Sequence, residues 1–344
     1  MKKLAPLLVL IIGTALSASA QKITLQPDTL PLPLSYRGLH VLSDSLVWVS
    51  GPEGTLLRTT DGGNTWKQLP PPPADSLDYR TLWAFDEQTS VIGSAGQPAM
   101  IYRTEDAGRE WRMTYRDTSG QAFFDALLFG SDSLGLVMSD PVDGKFLLLA
   151  TVYGGREWRP IPPSAIPDAG KGEAGFAASN SGMIALGDSV LMFATGGSQV
   201  RVIRLDGHYQ GWHAVDVPMD ATSEARGIYS MAANAQGNIV AVGGDYTQTD
   251  DEENNLVVSA DGGLTWERID NAGLRGYRSG VAWIPGTEAT FIAVGTSGMD
   301  ITYDGGRTWQ PLSNTDLNAI RFSPSGKVGW AVGREGKVVR ITVW

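Results

Sequence analysis

The sequence is poor in the residues that most catalytic and metal sites require. It contains no cysteine, which excludes disulfides, zinc ribbons, iron–sulfur clusters, thiol nucleophiles and lipid attachment to a cysteine. Its three histidines, His40, His208 and His213, have none of the spacings of a metalloprotease. No Gly-x-Gly-x-x-Gly opens a helix after a strand, which disfavours a nicotinamide-dependent oxidoreductase, and no histidine–methionine pair indicates a haem. We expect no metal and no cofactor.

Positive charge and long apolar runs are also scarce. Lys2 and Lys3, the apolar stretch over residues 4–16 and Ala18-Ser19-Ala20 have the pattern of a cleaved signal peptide at residues 1–20. Its removal leaves 324 of 344 residues, with 25 basic against 37 acidic residues, a net charge of −12. That charge excludes nucleic acid as the expected partner. No other run approaches the roughly 18 apolar residues of a membrane helix, so we expect export to the periplasm or beyond.

Residues 21–344 are organised as a repeat. The motif Asp-Gly-Gly-x-Thr-Trp begins at Asp61 and recurs closely at Asp261 and Asp304, whereas three other copies have decayed. The tryptophans that end the six copies are separated by intervals of 45, 47, 54, 54 and 43 residues. A period in the forties with short alternating strands is typical of propeller blades.

Each period contains the same phrases: an aromatic opening, an apolar strand ending in glycine, a strand that enters the Asp-Gly-Gly turn, and a short fourth strand. Seven openings lie near residues 36, 79, 124, 176, 225, 277 and 317. We therefore predict an all-β, seven-bladed β-propeller of four-stranded antiparallel blades in one domain. The last period stops at Trp344 after its third strand, and an exposed edge invites aggregation. We expect residues 22–25 to supply the missing strand and close the ring.

The repeated turns are predicted to be structural. The aspartate accepts backbone N–H groups of its own turn, the glycines adopt conformations that other residues resist, and the tryptophan fills the space between blades. Repeated aspartates around a ring would point away from one another, which disfavours calcium binding or catalysis. The residues assigned this role are Asp61, Trp66, Asp106, Trp111, Trp158, Asp206, Trp212, Asp261, Trp266, Asp304 and Trp309.

These motifs resemble a known family. The turn is similar to the BNR/Asp-box repeat, and the whole repeat resembles the photosystem II assembly-factor-like family of secreted seven-bladed propellers. The phrases that carry the resemblance are Tyr36-Arg37-Gly38-Leu39, Trp48-Val49-Ser50-Gly51 and residues 58–66. The resemblance implies a non-enzymatic protein that binds other proteins through an arginine-rich surface. Nothing in the chain indicates a photosynthetic source, so only the interaction or assembly role is carried over.

A candidate site follows from the phase of the repeat. The openings of the first strands share a face with the loops of variable length, and variable loops on a fixed scaffold favour binding. Arginine presents a fork of donors that suits carboxylate or phosphate, so we predict that an acidic protein segment or another anionic ligand binds at this mouth of the channel. Alternatively, the arginines pair with neighbouring loops, or with Asp125 and Glu224, and serve folding alone. When the seven openings are aligned, one residue of each falls at the same register position. Ala177 and Asn318 occupy it in two blades, and the predicted site residues in the other five are Arg37, Arg80, Asp125, Arg226 and Arg278.

An enzymatic alternative stays open. A sialidase-like glycoside hydrolase needs arginines for the sugar carboxylate, a carboxylic acid and a tyrosine activated by a glutamate. Seven units instead of six, and a first phrase without the Arg-Ile-Pro usual in sialidases, count against it. The sequence identifies neither the partner nor the oligomeric state. The residues available to such an enzyme are Arg37, Arg226 and Arg278, Asp125, and Tyr229 with Glu224 or Glu173.

Overall fold

The predicted seven-bladed propeller is confirmed. The computed structural model describes residues 22–73, 76–187, 189–206 and 211–344; the signal peptide predicted at residues 1–20 lies outside them. These residues form seven antiparallel sheets, and the innermost strands of successive sheets contact one another in cyclic order, the last against the first. No helix within these ranges is long and apolar enough to cross a membrane.

The first three blades follow an N-terminal strand. That strand is β1 (Ile23–Thr29). Blade 1 contains β2 (Gly38–Val41), β3 (Val47–Ser50), β4 (Leu56–Thr59) and β5 (Lys67–Gln68). Blade 2 contains β6 (Asp78–Ala84), β7 (Ser90–Ala95), β8 (Met100–Thr104) and β9 (Arg112–Arg116). Blade 3 contains β10 (Phe124–Phe129), β11 (Gly135–Val142), β12 (Lys145–Thr151) and β13 (Arg159–Pro160).

The remaining blades include two short 3-10 turns, Pro163–Ala165 and Arg334–Gly336. Blade 4 contains β15 (Met183–Leu186), β16 (Val190–Ala194), β18 (Arg201–Asp206) and β19 (Gly211–Asp216). Two further short strands of this region, β14 (Glu173–Ala174) and β17 (Gly196–Gly197), lie outside the sheet of blade 4. Blade 5 contains β20 (Arg226–Ala233), β21 (Ile239–Asp245), β22 (Leu256–Ser259) and β23 (Glu267–Arg268). Blade 6 contains β24 (Arg278–Trp283), β25 (Phe291–Gly295), β26 (Gly298–Thr302) and β27 (Gln310–Ser313). Blade 7 contains β28 (Ala319–Phe322), β29 (Val328–Val332) and β30 (Lys337–Val343).

The N-terminal strand closes the ring, as predicted. β1 pairs antiparallel with β30, from Ile23 opposite Val343 to Thr29 opposite Lys337, and so becomes the fourth strand of blade 7. The pairing extends beyond residues 22–25 and includes Pro27. Pro27 is accommodated because β1 is the outer edge of its sheet, where a missing N–H leaves no neighbouring strand without a donor.

The hydrophobic core is divided among the interfaces between blades. Seven buried clusters each combine residues of two neighbouring blades, and six of them include the tryptophan of an Asp-box turn. Trp309 of blade 6, for example, packs in the cluster that holds Val240 and Val258 of blade 5. Blade 7 has no such tryptophan; at its interface with blade 6, Ile23 and Leu25 of β1 pack against the cluster instead.

Blade 4 departs from the regular pattern. Its first strand begins at Met183 and not near residue 176, because β14 and β17 leave the blade and extend the sheet of blade 5 to six strands. The junction pairs Gly196 with Gly227. A Cβ atom on Gly227 would lie 2.4 Å from the Cα of Gly196, so glycine is required for this approach. Residues 175–182, between β14 and β15, are thereby left outside the sheets.

Candidate functional site

Residues 175–182, which we call the plug segment, occupy the central channel. The side chain of Asn180 joins two blades, donating to the Leu82 carbonyl at 3.0 Å and accepting from the Leu127 N–H at 2.7 Å. Only the axis is close to every innermost strand, so the plug segment lies there and separates two cavities of about 420 and 440 Å³. Hydrogen bonds connect it to all six other blades, through Arg37, Leu82, Leu127, Ser230, Ser279 and Arg321.

The cavity of about 420 Å³, the upper mouth, lies on the face of the variable loops. β-Bulges shape it: the pairing of first and second strands shifts by one residue in blades 2, 3, 5 and 6. A bulged residue leaves the ladder and its side chain is redirected. In blades 1 and 7 the equivalent residue directly precedes the first paired residue. The residues at this position all line the upper mouth; they are Arg37, Arg80, Asp125, Tyr229, Ser279 and Asn318.

Two of the predicted arginines do not line this cavity. Arg278 is the residue before the bulge, is 0% exposed and forms an ion pair with Asp300. Arg226 lies three residues before the bulge, is buried, and pairs with Asp251 of the adjoining loop. The register predicted for blades 5 and 6 was therefore wrong by three residues and by one residue. A shift by an odd number of residues turns a strand side chain to the opposite face. Ala177, placed in the same register, belongs to the plug segment.

Three guanidinium groups nevertheless share the upper mouth: Arg37, Arg80 and Arg334. Arg37 donates to the Ala178 carbonyl at 3.0 Å, and Arg80 donates to that of Ala177 at 3.4 Å. Burial, opposed in part by other groups, lowers the pKa of Arg37, and the charges of Arg80 and Arg334 lower it further. Arg80 pairs with Asp78 at 2.6 Å, whereas Arg37 has no ion-pair partner among the described residues.

Two carboxyl groups lie in the same cavity. Asp125 is 2% exposed, and neither of its oxygens accepts a hydrogen bond of ordinary geometry from the described chain. Burial and the neighbouring Asp140 raise the pKa of Asp125 well above its usual range. Burial likewise raises the pKa of Asp140 to about 6, against the opposing hydrogen bond from the Gly175 N–H. The three guanidinium groups outnumber these two carboxyl groups, and the raised pKa of each carboxyl disfavours its negative charge, so the upper mouth has a net positive charge.

Aromatic rings form the wall between these charges. Phe176 of the plug segment stacks on Tyr229 with ring centroids 3.9 Å apart. Tyr277 packs edge to face against Tyr229 with ring centroids 4.8 Å apart. Tyr246, which is 54% exposed, also packs edge to face against Tyr229. Burial raises the pKa of Tyr229 above its usual range. Rings beside guanidinium groups offer a surface for an apolar side chain as well as for a charge.

The Asp-box turns contain hydrogen bonds within themselves. Asp61 accepts from the hydroxyl of Thr59 at 2.8 Å and from the N–H and hydroxyl of Thr65 at 2.9 and 2.7 Å. Asp261 and Asp304 repeat this arrangement, and Asp106 accepts backbone N–H groups of its own turn. The tryptophans of these turns each pack in one of the hydrophobic clusters between blades; they are Trp66, Trp111, Trp158, Trp212, Trp266 and Trp309. Asp206 lies at the end of β18 and pairs with Arg204 at 2.5 Å.

The residues available for sialidase chemistry are not assembled. The hydroxyl of Tyr229 donates to the Ala225 carbonyl at 2.7 Å, and Glu224 is exposed. Glu173 is buried against Arg201 in an ion pair of 2.5 Å. An activated tyrosine needs a carboxylate within hydrogen-bond reach, which neither glutamate provides. The arginines meant for the sugar carboxylate are divided between the upper mouth and buried ion pairs.

Reasoning from the sequence missed two parts of the site. Arg334 comes from the connection between β29 and β30, outside the repeated phrase, and is 54% exposed. The sequence pattern predicts the opening of a first strand near residue 176, inside the plug segment. The signal of the plug segment was available in the run of small residues Ala177-Ala178-Ser179, which lacks strand alternation. The interval that contains it, 54 residues, is one of the two longest.

The geometry defines an Asp-box propeller with seven blades, a plugged channel and a charged mouth. The model of the family described as photosynthesis system II assembly factor YCF48 matches residues 15–123. The photosystem II assembly lipoprotein Ycf48 of Synechococcus sp. (strain CC9902) is 26% identical over 227 residues, 64% of this chain and 57% of that protein. The chain thus aligns with a little more than half of this relative. The predicted resemblance to the family is confirmed.

Solved structures agree on the fold. YCF48 bound to D1 peptide, and YCF48 from Cyanidioschyzon merolae, both have a TM-score of 0.63 and 15% identity, covering 92% of this chain and 96% and 98% of theirs. U3-55K gives the same TM-score at 16% identity, over 93% of this chain and 98% of its own. At these identities the structural likeness shows a shared fold alone.

Proposed function

We propose that this protein is a non-enzymatic, exported interaction or assembly propeller whose upper mouth binds an acidic segment of another protein. The observation that carries the proposal is Arg37. Its guanidinium lines a cavity beside Arg80 and Arg334 and has no carboxylate partner among the described residues. A guanidinium without a counter-ion in a partly enclosed, aromatic-walled site attracts carboxylate strongly, because solvent screening is reduced there.

The comparisons support a protein partner. The matching family model is described as an assembly factor, a relative is named as an assembly lipoprotein, and a protein of the same fold was solved with a bound peptide. We propose that this chain also binds a peptide segment, but we do not transfer the identity of the peptide in that structure. Tyr229, Tyr246 and Tyr277 would contact apolar parts of the segment, while Arg37, Arg80 and Arg334 pair with its carboxylates.

The test is a binding titration with a fluorescent acidic peptide. We would use a segment of about twelve residues that alternates Glu with Ala, and a matched segment with Gln in place of Glu. The Glu peptide should bind and the Gln peptide should not. Each charged contact contributes about 1.5–3 kcal/mol, so the double variant Arg37→Gln/Arg80→Gln should lose at least about tenfold in affinity.

A matched control is available on blade 2. Arg112 and Arg116 lie exposed on its outer strand, so Arg112→Gln/Arg116→Gln removes the same charge away from the channel and should leave binding intact. Arg334→Gln is a further arm, because Arg334 donates no hydrogen bond to the plug segment. Equal losses in the two double variants, or equal binding of the Glu and Gln peptides, would overturn the proposal.

A further inference from the structure

The cavity below the plug segment, which we call the lower mouth, opens on the face of the Asp-box turns. In each blade the third residue of the regular first-strand pairing occupies an equivalent register position. All seven of these residues line the cavity; in blade order they are His40, Trp83, Leu128, Ala185, Ala232, Ala282 and Arg321. The lower mouth is thus a ring with one side chain from each blade.

This ring is lopsided. Blades 7, 1 and 2 contribute the large side chains Arg321, His40 and Trp83, whereas blades 4, 5 and 6 contribute only alanine. The alanines leave open the space that the larger side chains fill opposite, and the cavity measures about 440 Å³. A volume of this order accommodates a small organic ligand. Trp283 and Phe322, one residue further along their strands, extend the apolar wall.

Arg321 is the one cation that lines the lower mouth within the described chain. Its guanidinium donates to the carbonyls of Ile320 at 3.1 Å and of Asn180 at 2.7 Å. No described carboxylate pairs with it. Burial lowers the pKa of Arg321 to about 10, so it stays charged at neutral pH. Burial, and then the charge of Arg321, lower the pKa of His40 to about 3, so His40 is neutral and does not share the role.

We propose that the lower mouth binds an apolar monocarboxylate, whose carboxylate pairs with Arg321 and whose apolar body lies against Trp83, Trp283 and the alanines. A single unpaired guanidinium selects one anionic group. The alanine and tryptophan surfaces favour a ligand that removes apolar area from water. The plug segment separates this site from the upper mouth, so a ligand bound in one cavity does not contact a ligand bound in the other.

The test is calorimetric titration with 4-phenylbutyrate, against 4-phenylbutanol and 4-phenylbutylamine as ligands of the same body. The carboxylate should bind at least about tenfold more tightly than the alcohol, because a charge-assisted pair replaces a neutral contact. The amine should bind least. Arg321→Met should remove the preference for the carboxylate, and Arg321→Lys should retain part of it.

Two variants keep the result interpretable. Arg321→Met also removes the hydrogen bond to Asn180, so Ala232→Phe provides a second arm that fills the cavity without touching Arg321 and should weaken all three ligands. Arg37→Gln/Arg80→Gln should leave 4-phenylbutyrate binding unchanged. Equal affinity for acid and alcohol, retained preference in Arg321→Met, absence of binding, or loss of binding in the upper-mouth variant would each overturn the proposal.

Discussion

The dipeptide Tyr-Arg occurs at the opening of blade 1 and again at the opening of blade 6, with opposite results. Arg37 reaches the upper mouth and donates to the plug segment. Arg278 is fully buried and pairs with Asp300, which also receives Arg275 at 2.6 Å. The difference is one residue of register, because Arg37 directly precedes the first regular pair of its blade, whereas Ser279 stands between Arg278 and the regular pairs of blade 6. The same two letters therefore specify a binding surface in one blade and an interior ion pair in another.

The largest effect that distinguishes these arginines is on stability. Arg278→Met leaves Asp300 buried beside Arg275 alone and should lower the free energy of unfolding by about 3–5 kcal/mol. Arg37→Met removes one hydrogen bond to a carbonyl and should lower it by only about 1 kcal/mol. Urea unfolding of the two variants measures the contrast. Similar losses would show that burial of the guanidinium does not separate the two positions.

A smaller effect should couple the plug segment to the mouth. Asn180→Ala removes two hydrogen bonds between blades and leaves buried backbone groups at Leu82 and Leu127 unsatisfied, at about 1–3 kcal/mol. Since the plug segment also positions Arg37 and Arg80, this variant should weaken acidic-peptide binding, whereas Arg278→Met at a temperature where it stays folded should not. Peptide titration of both variants decides this. Asn180→Ala with unchanged affinity would separate the plug segment from the site.

The smallest expected effect is a pH dependence that Asp125 creates. Its pKa is raised in the folded state, so between its ordinary pKa and the raised value the unfolded chain releases a proton that the folded chain retains. Stability is therefore lost as the pH rises through this range. Asp125→Asn has no proton to release, so its stability relative to the wild type should rise as the pH rises from 4 to 8. The urea midpoints of the variant and the wild type at pH 4 and pH 8 test this prediction. The same difference between the two midpoints at both pH values would contradict the raised pKa of Asp125.

Much of the fold is predictable because its determinants are local. The Asp-box turn is closed by hydrogen bonds within seven residues, as from Thr59 to Thr65, so the sequence displays each copy. Ring closure is predictable because a blade lacking a strand exposes an unpaired edge. Blade 4 is different: its β14 and β17 pair with the next blade through close contact of glycines, and no local pattern indicates that exchange.

The candidate site is only partly predictable. Arg37, Arg80 and Asp125 share one cavity, as the alignment of openings indicated, because each directly precedes the regular strand pairing of its blade. Arg226 and Arg278 do not, since they lie three residues and one residue before that position in blades 5 and 6. The plug segment was not visible because its contacts are non-local: Asn180 bonds Leu82, 98 residues away in the chain. Such contacts depend on the completed ring.

Pairing of β1 with β30 has a consequence for the order of folding. The edge of blade 7 stays unprotected until residues 337–343 meet residues 23–29, which are among the most distant in the chain. During synthesis on a ribosome, six blades are available before this last pairing is possible, and forming it requires closure of a loop of roughly three hundred residues. The sequence has no cysteine that could fasten this seam covalently. Non-covalent contacts therefore hold it, namely the β1–β30 ladder and the packing of blade 1 against blade 7, so a variant that weakens the ladder should unfold first there.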